Sequence, residues 1–231
     1  MNPLAKEYIS TLQQELSSHA NAVIALQQKA YMKDKFEFFG ITSPQRRIIC
    51  KPFLQKARLP SKQVAVQIIK SLWLLPEREN QYFAQELAAA YTKQFEKADI
   101  VLIELMVVNR SWWDTVDFIA AKLAGDYFKI YPRQIVPVTK KWMVSKNIWL
   151  QRTCILFQLK YKDKVDTELL NNIIQPLLGS KEFFINKAVG WMLREYSKTN
   201  PSWVKQFVNN NALSNLSRRE ALRLIEIPDV L

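Results

Sequence analysis

The chain has 231 residues, 48% hydrophobic and 23% charged, a composition that supplies a core and excludes an intrinsically disordered chain. Its 33 lysines and arginines outnumber 21 acidic residues, and the resulting +12 favours a polyanionic partner, because cations near phosphate release condensed counterions. The 4 glycines form no GxGxxG or GxxxxGKS/T string, and Cys50, Cys154 and the single His19 leave no material for a disulfide framework, zinc site or histidine-based triad.

Apolar residues recur at helical spacing almost throughout, and no stretch alternates long enough for a sheet. In chain order the spacing predicts helices over 2–17, 20–33, 43–56, 61–74, 77–95, 97–109 and 111–124, then 132–144, 148–160, 167–177, 181–198, 201–209 and 217–225. The first is interrupted by Lys6, Glu7 and Glu15, so it lacks the apolar centre of a signal peptide. No later run is long enough to span a bilayer. Ser43–Pro44 and Asn200–Pro201 each read as an N-cap followed by the first helical residue, and Ser111 with Asp114 as a capping box. Helix pairs begin near residues 61, 97, 132, 166 and 201, a period of about 35 residues within the range of helical-repeat arrays. No linker rich in Gly, Ser or Pro interrupts them. The expectation is one domain over 1–231, an all-α, HEAT-like helical-repeat solenoid with a concave basic face suited to a polyanion. It is expected as a cytoplasmic monomer with no membrane contact, no metal and no cofactor.

The string from Asn109 to Asp117 holds the most unusual residues. On a regular helix Trp112, Val116, Ile119 and Leu123 form one apolar stripe. Trp113 lies off that stripe and shares a second face with Asp117, Ala121 and Ala124. Two accounts fit this face: an indole packed on a neighbouring helix beside a solvated acid, or an aromatic and a carboxylate with room beside them. In the 181–198 helix, Trp191 borders a core side and a basic side that carries Lys187, Arg194 and Lys198. Such an indole either packs or touches sugars and bases. Arg152 has Ile148, Trp149, Ile155 and Leu156 at helical spacing, so its charge requires an acid on a neighbouring helix or a phosphate. From Gly40 to Arg47 a helix start carries two arginines. Its free N–H groups, the Ser43 hydroxyl and Arg47 can hold one phosphate, or Ser43 and Pro44 simply cap the helix.

Taken together, the Trp-Trp-Asp-Thr-Val-Asp string at 112–117, the Arg152 helix, Trp191 within 190–195, and Gly40–Ile41 leading into Pro44 and Arg47 resemble the HEAT-like-repeat DNA alkylation repair enzymes, a family of DNA glycosylases. The resemblance spans most of the chain. It implies double-stranded DNA containing alkylated bases as partner and substrate. Asp117, Trp113 and Trp191 would then surround the deoxyribose as the catalytic set, with Arg152 on the backbone. It also implies backbone contacts at Thr42, Ser43 and Arg47, although Thr42 stands where the family's pattern carries an amide. Lys187 and Arg194 join the expected DNA contacts as the cations beside Trp191. Because some relatives lack the aromatic set and bind DNA without activity, a non-catalytic binder of DNA structures is the alternative. All four matched positions are retained here, which favours the catalyst.

Overall fold

The helical spacing is realised along the whole described chain. The computed structural model describes residues 1–225, and among them no strand forms beyond one isolated bridge between Glu37 and Glu77. The chain divides into two compact units at Glu96 and Lys97.

The first unit contains α1 (Pro3–Ser18), α2 (Ala22–Tyr31), α3 (Ser43–Cys50), α4 (Lys62–Leu74) and α5 (Arg78–Ala90). Asn2, Asn21 and Ser61 cap α1, α2 and α4 by accepting first-turn N–H groups that would otherwise lack partners. Leu12, Leu16, Ile68, Leu72, Trp73 and Phe83 lie fully buried where α1, α4 and α5 meet. The helix expected over 43–56 ends at Cys50 and tightens into a 3-10 turn, Lys51–Leu54. Pro52 explains the change, since it has no N–H to continue the α-helical ladder. Likewise α5 stops at Ala90, and the rest of the expected 77–95 helix is a separate 3-10 turn, Thr92–Gln94.

The start of α5 is polar yet buried, from Arg78 to Gln81. Its side chains brace the loop that leads into α3. The Glu79 carboxylate accepts the backbone N–H groups of Phe39, Gly40 and Ile41 at 3.1, 3.0 and 3.1 Å. The Arg78 guanidinium lies 3.8 Å from the centre of the Phe36 ring. Gly40 turns this loop at φ +85°, and a Cβ there would stand 2.0 Å from the Asn21 carbonyl oxygen. Gly40→Ala combines backbone strain with a collision against fixed backbone, so it should destabilise the protein by more than about 2 kcal/mol, measured by denaturant unfolding. A loss under about 0.5 kcal/mol would contradict this account of the turn.

The second unit contains α6 (Ile100–Val108), α7 (Trp113–Phe118), α8 (Gly125–Ile130), α9 (Ile135–Val144), α10 (Ile148–Leu156), α11 (Thr167–Ile174), α12 (Phe183–Ser197), α13 (Pro201–Asn210) and α14 (Asn215–Leu222). A π-helical segment, Ile119–Ala124, joins α7 to α8, so the helix runs past the end expected at residue 124. At Gly125 the absence of a side chain admits the Phe157 carbonyl oxygen, which would lie 2.7 Å from a Cβ. At the centre stands α10, packed against α6, α7, α9, α11, α12 and the π segment, with Leu150 and every residue from Arg152 to Leu156 buried. Asn200 caps α13 as expected, accepting from the Trp203 N–H at 3.0 Å.

Two expected start signals differ. Ser111 instead donates to the Val107 carbonyl at 2.6 Å, and Trp112 occupies the N-cap of α7 without a side-chain capping bond. Ser111 closes the preceding helix because the chain turns sharply at Arg110, which sits at φ +52°. For α3 the N-cap is Thr42, and Ser43 is the first helical residue.

Candidate active site

Burial of α10 on every side forces a question about its one charged residue. Arg152 is 3% exposed, and a guanidinium cannot shed its proton, so it needs acceptors inside the protein. Asp117 on α7 supplies two of them. Arg152 Nε donates to Asp117 Oδ1 at 2.7 Å and Nη2 donates to Oδ2 at 2.9 Å, a bidentate pair. Arg152 Nη1 donates to the Phe184 carbonyl on α12. One guanidinium thus joins α7, α10 and α12. Burial pushes the Asp117 carboxyl above its usual range, while the hydrogen bonds and charge of Arg152 pull it back and Asp114 raises it a little further.

The three helices that this guanidinium joins also bring an aromatic cluster together. Trp112, Trp149 and Phe184 meet with centroids 5.0 to 5.6 Å apart, the edge-to-face and tilted geometry that aromatic quadrupoles favour. Trp112 precedes the helix of Asp117, Trp149 lies one turn before Arg152, and Phe184 carries the carbonyl that Arg152 holds. None of these three belongs to the site expected from sequence. The signal was available in Trp149, which stands at i−3 to Arg152 and so on its side of the helix.

The two expected indoles are half-buried and reach the surface. Trp113 begins α7, one turn before Asp117 and on its side of the helix. Trp191 lies seven residues beyond Phe184 on α12, about two turns along the same side. The face expected to continue from Trp113 and Asp117 through Ala121 and Ala124 does not extend as a regular helix would. The π segment begins at Ile119 and resets the rotation, and both alanines are buried in the core.

Lys187 and Arg194, on α12 either side of Trp191, both contact Glu220 of α14. In the first unit Thr42, Ser43 and Arg47 are exposed at the start of α3. The buried arginine there is Arg46, whose Nη1 and Nη2 donate to Glu86 at 2.9 and 2.7 Å. Glu79 fixes the backbone immediately before Thr42, so the N-terminal N–H groups of α3 open at a braced position. Among the described residues no helix is long and apolar enough to cross a membrane.

Fold and site together define an all-α protein in which a buried guanidinium orients a carboxylate between helices that also share an aromatic cluster. The sequence pattern of one family, the DNA alkylation repair enzyme, matches residues 12–225. A solved structure described as a predicted DNA alkylation repair enzyme from Enterococcus faecalis superposes with a TM-score of 0.83 at 33% identity, over 90% of this chain and 97% of that one. No curated protein matches. The chain belongs to the DNA alkylation repair enzyme family.

Proposed function

We propose that the protein is a DNA glycosylase that excises cationic alkylated purines, 3-methyladenine and 7-methylguanine, from duplex DNA by hydrolysing the N-glycosidic bond. Family membership supports a role in repair of alkylated DNA. The observation that carries the finer reading is the Asp117 carboxylate, held by Arg152 against the tendency of burial to protonate it.

The chemistry suits such a group. A purine alkylated at N3 or N7 already bears a positive charge. When its bond to C1′ breaks, the electron pair leaves with the base, which becomes neutral, and positive charge passes to the sugar. No acid is needed to protonate the leaving group. A fixed anion beside C1′ stabilises the developing cation, and indole faces at Trp113 and Trp191 add attraction to the same charge. Water then adds to C1′ and gives up a proton, leaving an abasic sugar. Two oxygens of Asp117 face Arg152, yet a carboxylate offers about four acceptor positions, so it can still orient that water. Arg152 offsets part of the effect of burial on the carboxylate and aims it. At 3% exposure Arg152 serves this reading through Asp117 and the Phe184 carbonyl, in place of the backbone contact that the resemblance implied.

Thr42, Ser43 and Arg47 are proposed to grip backbone phosphate through the start of α3, with Lys187 and Arg194 as further contacts. Incubation with methylated duplex DNA, followed by chromatography of free bases, tests the reading. Methylpurines should appear well above the rate of spontaneous loss. Binding without release would make the protein a non-catalytic binder of DNA structures instead.

A further inference from the structure

Lys187, Trp191 and Arg194 stand at i, i+4 and i+7 on α12 and therefore share one side of that helix. A single carboxylate spans them. Glu220 Oε1 accepts from Lys187 Nζ at 2.7 Å, and Oε2 accepts from Arg194 Nη1 at 2.6 Å. The layering is definite: the Glu220 side chain is 8% exposed, beneath cations that are 39% and 22% exposed. Gly190 makes this possible. A Cβ there would lie 2.6 Å from Glu220 Cβ and 2.9 Å from the Ser217 carbonyl oxygen, so α14 approaches α12 more closely than any larger residue allows. Both cations, with Arg223 nearby, hold the Glu220 carboxyl below its usual range, so it is ionised at neutral pH.

We propose that Glu220 is a positioning residue of the DNA-binding face: it fixes Lys187 and Arg194 on either side of Trp191 so that their remaining donors meet backbone phosphates already aligned. The proposal rests on the DNA reading above. Lysine and arginine side chains lose much conformational freedom when they bind, and an anchor beneath them removes part of that cost in advance. The anchor carries a penalty, because its negative charge opposes DNA. A carboxylate that merely masked the two cations would carry that penalty with no gain. The two accounts therefore predict opposite signs for its removal.

The test is Glu220→Gln in the full chain, measured as affinity for a duplex with a tetrahydrofuran abasic-site analogue. Although the substitution raises net charge by one, binding should weaken about tenfold. The concentration of protein for half-maximal base release should rise by a similar factor, with the rate at saturating protein within about twofold of the parent. The Arg194 side-chain Nε–H should report an ordered side chain in the parent and a mobile one in the variant. In a Lys187→Met, Arg194→Met background, Glu220→Gln should change affinity by less than about twofold. Glu220→Asp, which keeps the charge but cannot span both cations, should give a smaller loss of about threefold and decides the matter if the glutamine variant does not fold. Tighter binding, unchanged binding by a folded variant, or an undiminished loss in the background lacking both cations would overturn the proposal. Failure of the parent protein to bind any duplex would instead remove the DNA reading on which it stands.

Discussion

Asp117→Asn should lower the release of 7-methylguanine from methylated duplex DNA by about two orders of magnitude or more. The substitution keeps the size of the side chain and an oxygen that can accept from Arg152. It removes the charge, which is the property the proposed mechanism uses. The affinity for duplex DNA should change little, because the cations and the start of α3 are untouched. Single-turnover release at saturating protein separates the two effects, since it reads chemistry after binding. A stability cost accompanies the change: Arg152 stays buried with its charge uncompensated, which costs about 3–5 kcal/mol where a buried pair is broken. Release must therefore be measured at a temperature where the variant is folded, as shown by circular dichroism. A folded Asp117→Asn that releases methylpurines at the parent rate would end the catalytic assignment.

The helical class was legible because 3.6-residue periodicity survives in most segments, α6 and α10 being apolar without a distinct face, and because capping residues such as Asn2, Asn200 and Ser61 act locally. Where helix geometry depends on neighbours, the reading failed. The π segment at Ile119–Ala124 leaves no mark in residue spacing, so a wheel drawn from Trp113 misplaces Ala121 and Ala124. The close approach of the Phe157 carbonyl to Gly125 joins residues distant in sequence, so spacing along the chain gives no sign of it. At the site, the sequence reading allowed two partners for Arg152, and the structure supplies Asp117, 35 residues away. The aromatic cluster of Trp112, Trp149 and Phe184 was hidden for a simpler reason. Trp112 and Phe184 lie on the apolar side of their helices, where core packing explains a ring equally well, and only their meeting with Trp149 distinguishes them. Glu220 was hidden for the same cause, since its two partners stand 33 and 26 residues away.

Arg152→Met should show a dependence on pH that separates its role from simple packing. In the parent protein, burial raises the Asp117 carboxyl and Arg152 partly reverses the rise. Without the guanidinium only the raising influences remain, so the carboxyl climbs further. Base release needs the ionised form, and its rising limb should move to higher pH in the variant, with the largest deficit on the acid side of neutrality. Stability follows the same shift. A carboxyl whose folded value exceeds its unfolded value binds the extra proton in the folded state, so stability falls as pH rises from the unfolded value through the folded one. Arg152→Met widens that window upward. The difference in Tm between parent and variant should therefore shrink as pH is lowered and Asp117 becomes neutral in the variant, then grow towards neutral pH. The expected loss at neutral pH is about 3–5 kcal/mol, the cost of leaving a buried charge without its partner. An unchanged rising limb, together with a Tm difference independent of pH, would mean that Arg152 supports α10 by packing alone and does not govern the ionisation of Asp117.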